Sequence, residues 1–179
     1  MIYERKIIRD EIRETARWIV RESANPRIRG RYEGRLFTFA ESCTGGLVAH
    51  SVSEVAGASE VFPGSVVTYS NRAKIEMLDV TPETIDRHGA VSGECAAEMA
   101  CGALRLFDSM FAVSVTGIAG PSGGSASKPV GLVWLALARA DGIIRLRRGL
   151  YGGQGRRAVQ LRAARSALKM LLCELLGEV

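Results

Sequence analysis

Three short apolar runs, each cut off by small polar residues, constrain this chain more than any other feature. They span 36–40, 65–69 and 110–116. The first stops at Glu41-Ser42-Cys43-Thr44-Gly45-Gly46, the second at Ser70-Asn71, and the third at a segment, 117–131, with five glycines and two prolines. The first two lead into helical patterns, 47–55 and one ending near Leu78. β-prone runs alternating with helical segments build parallel sheets, because parallel strands need a crossover of helix length. Two later runs, 132–138 and 143–150, flank Asp141-Gly142, a tight-hairpin signal. The pattern predicts an α/β domain with a mixed sheet and helices on both faces.

The remaining helices follow from spacing and caps. In 8–24, Ile8, Ile12, Ala16, Ile19 and Val20 recur at helical intervals between charges. Thr81 can cap a helix that has Pro82 at its first position, and Ser92 can cap the next, which runs to about Leu106. In 156–176, Val159, Ala163, Ala167, Leu168 and Leu171 share a face. With 179 residues, one domain is expected. Residues 1–35 form an N-terminal helix and a polar, Arg-rich connection, and 36–179 form the main body.

Charge narrows the function classes. The net charge of +5 is uneven: 1–35 hold ten basic and six acidic residues, 36–138 five and ten, and 139–179 nine and three. The positive charge sits at the two ends, and only 6% of residues are aromatic. That combination argues against nucleic acid as a partner. No apolar stretch approaches the length of a membrane span, and 1–10 lack the hydrophobic region of an export signal. The four cysteines, Cys43, Cys95, Cys101 and Cys173, show neither C-x-x-C nor zinc spacing. Reduced thiols in a cytoplasmic protein without a metal or cofactor are the expectation. The oligomeric state is left open.

Ligands of open α/β sheets sit beyond the carboxyl ends of the strands, so the segments 41–46, 68–74 and 116–131 are expected to converge on one pocket. Ser42, at a strand-to-helix turn, has the place of a nucleophile, with amides of Thr44, Gly45 and Gly46 as oxyanion donors. The plainer alternative is that Ser42 and Thr44 cap the helix. A serine nucleophile needs a base. His50 lies two turns along the same helix and His88 lies in a turn, so neither is well placed. Lys74, among apolar neighbours, is the better candidate, since burial lowers a lysine pKa and a neutral amine can accept the serine proton. The alternative is a surface lysine. Tyr69 can orient that amine or touch substrate. Cys43 is expected to point away from Ser42 and pack. The glycine-dense 116–124 offers unobstructed amides for a phosphate or carboxamide, or is simply a surface loop.

These residues form a recognisable set. Ala40-Glu41-Ser42-Cys43-Thr44-Gly45-Gly46, Val67-Thr68-Tyr69-Ser70-Asn71 with Ala73-Lys74, His88-Gly89-Ala90-Val91-Ser92, Thr116-Gly117-Ile118-Ala119-Gly120-Pro121 and Lys128-Pro129-Val130-Gly131 occur in that order. Over about 36–176 the chain resembles the CinA C-terminal domain family, which includes nicotinamide-nucleotide amidohydrolases. The resemblance implies a three-layer α/β/α sandwich that hydrolyses the carboxamide of nicotinamide mononucleotide to nicotinate mononucleotide and ammonia, in pyridine-nucleotide salvage. It implies Ser42 as nucleophile, Lys74 as base and Tyr69 in the same site. It also implies substrate contacts from Thr44, Gly45, Gly46, Asn71, Thr116, Gly117, Ala119 and Gly120. The family usually carries Gly-Asp-Arg before its last helix, whereas this chain reads Gly152-Gly153-Gln154-Gly155-Arg156-Arg157. Arg156 is then the expected phosphate clamp and Arg157 its substitute. The large N-terminal domain of full-length relatives, and any pyrophosphatase activity associated with it, are expected to be missing. Two other readings are a non-catalytic module that binds a pyridine nucleotide or similar phosphate ligand, and an interaction protein using its basic ends.

Overall fold

All five residues of strand β1 (Phe37–Glu41) are buried, because the strand has neighbours on both edges and helices on both faces. The structure, a computed structural model, describes residues 2–25, 35–152 and 155–178. Helix α1 (Ile2–Ser23) precedes β1, and α2 (Leu47–Ser53) follows it. Then come β2 (Ser65–Val67), α3 (Asn71–Leu78), α4 (Pro82–His88) and α5 (Gly93–Leu106). Strands β3 (Phe111–Gly117), β4 (Leu132–Arg139) and β5 (Ile144–Leu150) lead to α6 (Arg156–Leu176).

The sheet order is β2-β1-β3-β4-β5. β1 is parallel to both β2 and β3, with Glu41 level with Val67 on one side and Val115 on the other. The carboxyl ends of these three strands therefore share one edge, and the chain leaves β1 between the other two. This is the crevice where a parallel sheet opens to a ligand. β4 and β5 add in antiparallel fashion, joined through the Asp141-Gly142 turn, with Ala138 opposite Ile144.

Side-chain alternation divides the two faces. Phe37, Phe39, Val113, Val115, Leu135 and Leu137 point to one side and pack with Ile12, Ile19, Val48, Leu161 and Leu168 of α1, α2 and α6. Ala40 and Ala112 point to the other side, toward Leu78, Cys95, Met99 and Ala103 of α3 and α5. Small residues on that face let α5 lie close to the sheet. α5 also lies close against the end of α3: at Gly102 a Cβ would fall 2.0 Å from the Leu78 carbonyl oxygen. The result is the three-layer α/β/α sandwich with a mixed sheet.

Caps fall where the sequence places them. Thr81 Oγ1 accepts from the Thr84 amide and Ser92 Oγ from the Cys95 amide, both at 3.1 Å. Several bounds differ. The first helix begins at Ile2 rather than residue 8, and Arg162 and Arg165 of α6 pair with Glu4 and Glu11 along it. The second strand ends at Val67, not at 69. The helix expected over 47–55 stops at Ser53. The bulk of the Arg-rich connection, 26–34, and the Gly153-Gln154 pair lie outside the described residues.

Candidate active site

Ser42 follows the last residue of β1, and its amide is held by the Val115 carbonyl at 2.9 Å. The turn then passes through Gly45 and Gly46, at φ 63° and 94°, where a side chain would be strained. No side chain from the turn caps α2: Gly46 sits at the N-cap position, and neither Ser42 nor Thr44 acts as cap. The buried Glu41 carboxylate does that work. Its Oε2 accepts from the Gly46 and Val48 amides at 3.0 and 3.1 Å, and its Oε1 from the Ala49 amide at 2.8 Å. A carboxylate against the positive end of a helix is favourable. It frees Ser42 from capping and fixes the turn that carries it.

Lys74 comes from the second turn of α3, whose N-cap Ser70 accepts from the Ala73 amide. The lysine is 1% exposed, so this is no surface residue. Nζ lies 3.0 Å from Ser42 Oγ and 2.7 Å from the Thr68 carbonyl oxygen. Burial lowers the Lys74 pKa from its usual 10.5. Thiolates at Cys95 and Cys43 would oppose this, but burial pushes those thiols up to about 11 and about 12. Near neutral pH both are uncharged and do not oppose the shift. Cys43 is buried in the core cluster and also borders the cavity described next.

Above the pair opens a cavity of about 230 Å³, lined by Ser42, Cys43, Tyr69, Gly117 to Gly120, Ser122, Gly123 and Arg156. Arg156 opens α6, donates to the Gly120 carbonyl at 3.0 Å and bonds the Tyr69 hydroxyl. The three strand-end segments and the start of α6 thus meet as the sequence suggests. Arg157 faces the other way, toward α1, and donates to Gln160 at 3.5 Å.

Of the other expected contact residues, Gly117, Ala119 and Gly120 line the cavity, whereas Thr44, Gly45, Gly46, Asn71 and Thr116 do not. Asn71 is exposed at the start of α3. Thr116 Oγ1 donates to the Ala90 carbonyl at 2.7 Å, tying β3 to the 88–92 segment. The Gly45 amide donates to the Ser42 carbonyl and the Gly46 amide to Glu41, so neither is free for an oxyanion. The Thr44 amide has no partner among the described residues. His50 and His88 are exposed or half-exposed beside Glu54 and Glu94 and do not line the cavity.

Sequence reasoning missed four supports. Glu41 is one, although a carboxylate ending a strand just before a helix is itself a signal. Gln160 donates to the Cys43 carbonyl at 3.1 Å, and Lys128 donates to the His88 carbonyl. The Thr68 carbonyl, which takes the second Lys74 hydrogen bond, leaves no mark in a sequence. No group of three or more His, Cys, Asp or Glu able to hold a metal occurs among the described residues. No helix among them is long and apolar enough to cross a membrane.

Comparison with known proteins agrees with the fold. The CinA C-terminal domain family matches residues 28–175. The chain is 49% identical over 138 residues to the nicotinamide-nucleotide amidohydrolase PncC of Escherichia coli K12, covering 77% of this chain and 83% of the relative. It is 52% identical over 134 residues to a CinA-like protein of Fervidobacterium nodosum, covering 75% of this chain but 32% of that longer protein. Among solved structures, a competence/damage inducible protein from Agrobacterium tumefaciens superposes with a TM-score of 0.83 at 45% identity, covering 91% of this chain and 94% of that one. A CinA superfamily protein from Klebsiella pneumoniae gives 0.82 at 34% identity, over 93% and 98%. Fold, motif order and these likenesses agree: the chain belongs to the CinA C-terminal domain family.

Proposed function

We propose that this protein hydrolyses the carboxamide of nicotinamide mononucleotide to nicotinate mononucleotide and ammonia, returning a pyridine nucleotide to salvage in the cytoplasm. The observation that carries the reading is the buried Lys74–Ser42 contact at 3.0 Å, under a cavity with Arg156 at its mouth. The name of the Escherichia coli relative supplies the substrate class.

The chemistry follows from the hydrogen bonds. A neutral lysine amine has two N–H donors and one lone pair. Donation to the Thr68 carbonyl at 2.7 Å holds the amine, leaving its lone pair for the Ser42 hydroxyl proton. Ser42 Oγ attacks the carboxamide carbon as Lys74 takes that proton. The carbonyl oxygen becomes an oxyanion, which calls for hydrogen-bond donors at the cavity wall beside Ser42. The tetrahedral intermediate collapses as the Lys74 ammonium protonates the departing nitrogen, and ammonia leaves. Water attacks the resulting Ser42 ester, giving its proton to Lys74, and Lys74 returns that proton to Ser42 Oγ as the acid departs. Every proton is accounted for without a metal.

Arg156 supplies the charge for the 5′-phosphate, and Tyr69 holds the guanidinium in place until substrate arrives. The test is product identity. Purified protein incubated with nicotinamide mononucleotide and resolved by anion-exchange chromatography should yield nicotinate mononucleotide. Unchanged substrate, with binding visible by calorimetry, would overturn the hydrolase and leave a binding module.

A further inference from the structure

One side of α1 carries Arg5, Arg9, Arg13 and Arg17 at four-residue spacing. Such residues stack along one helix face. Arg9, Arg13 and Arg157 line a cavity of about 190 Å³, with Ile12, Leu47 and Leu161 as an apolar floor. His50 of α2 and Glu54, just past its end, close the opposite wall, 3.9 Å from one another. Neither Arg9 nor Arg13 makes an ion pair among the described residues. Arg157 has only Gln160. Three guanidinium groups from two helices thus face one hollow. Burial, then the charges of Arg9 and Arg5, lowers the Arg157 pKa.

We propose that this hollow between α1, α2 and the first turn of α6 is a second anion site, built for a compact oligophosphate. Arginine forks suit phosphate oxygens, and three of them fit a multiply charged chain better than a single phosphate. A hollow of about 190 Å³ suits a compact polyanion better than an extended nucleic-acid track. Along α1 the cations beyond it are interrupted by acids: Asp10 lies among Arg5, Lys6, Arg9 and Arg13 in the neighbouring cavity, and Arg17 is paired with Glu14 at 2.5 Å. The site shares one turn of α6 with the pocket over Ser42: Arg156 enters that pocket and Arg157 enters this one.

Calorimetric titration of the whole protein with tripolyphosphate at low salt tests the site, with a nucleoside triphosphate as a second arm. Tripolyphosphate should bind, with Arg9→Gln/Arg13→Gln and Arg157→Gln each weakening it about tenfold or more, and Arg156→Ala changing it about twofold or less. Binding of the nucleoside triphosphate as tight or tighter identifies a nucleotide tail as occupant; weaker binding identifies a free oligophosphate. No binding, indifference to the Arg9, Arg13 and Arg157 variants, or loss in Arg156→Ala would overturn the proposal. Tighter binding of a single-stranded oligonucleotide than of tripolyphosphate at equal ionic strength would overturn it in favour of nucleic acid.

Discussion

The Arg156 guanidinium, from the first turn of α6, is bonded to the hydroxyl of Tyr69, which follows β2. These residues lie 87 apart in sequence and close one wall of the pocket over Ser42. If Arg156 meets the substrate phosphate, its loss weakens a charge-assisted contact in ground and transition states alike. Arg156→Ala should raise KM for nicotinamide mononucleotide about tenfold or more with little change in kcat. It should leave turnover of the nucleoside, which lacks the phosphate, nearly unchanged. Steady-state kinetics on both substrates check this, and equal losses on both would remove the phosphate contact.

Lys74 links catalysis to pH. Burial lowers its pKa below 10.5, so between that lowered value and 10.5 the unfolded chain holds a proton that the folded chain lacks. Stability rises with pH across this window, and below it the whole cost of the buried ammonium is present. Lys74→Met removes the group with little change in volume. The variant should be at least as stable as wild type at pH 7, with the difference shrinking as pH rises toward 10.5. Its turnover should fall about a hundredfold or more. Thermal melts across pH, paired with rates, check both parts.

Glu41 should act through position. Its three amide partners cannot all be served by a glutamine, whose amide nitrogen donates instead of accepting. Glu41→Gln should cost about 1–3 kcal/mol in a denaturant titration. The Ser42 turn should loosen with it, so kcat falls more than KM rises.

Gly117 is a packing constraint at the pocket wall. A Cβ there would fall 2.7 Å from the Leu132 carbonyl oxygen and 2.7 Å from Val133 Cγ2. Neither atom is the end of a long flexible side chain. Gly117→Ala should lower stability by about 1–3 kcal/mol, a fall of several degrees in Tm for a chain of this size.

Much of this was legible in the sequence because the signals are local. Arg156 to Leu176 show their periodicity within one segment, Asp141-Gly142 declares its own turn, and Thr81 and Ser92 cap helices that begin beside them. Ser42, Lys74 and the glycine segment could be placed together because parallel strands gather their carboxyl ends. What escaped depends on contacts across the chain. Gln160 reaches Cys43 over 117 residues, and nothing around Gln160 marks it. Thr116 belongs to a motif, but only the tertiary structure shows it bonded to Ala90. The second strand stops at Val67, and the carbonyl of the next residue, Thr68, accepts from Lys74, a contact set by a side chain six residues on. Glu41, Gly45 and Gly46 divide the turn's work differently from the sequence reading, since a carboxylate at the strand end outcompetes the hydroxyls for the helix amides.

The central claim is that Ser42, with Lys74 as its base, performs the hydrolysis. Ammonia release from nicotinamide mononucleotide, measured for wild type and Ser42→Ala from pH 6 to pH 10, tests it most directly. Wild type should release ammonia at a rate that climbs with pH to a plateau below 10.5, and Ser42→Ala should be slower by about a thousandfold or more at every pH. A Ser42→Ala rate within about tenfold of wild type would contradict the claim.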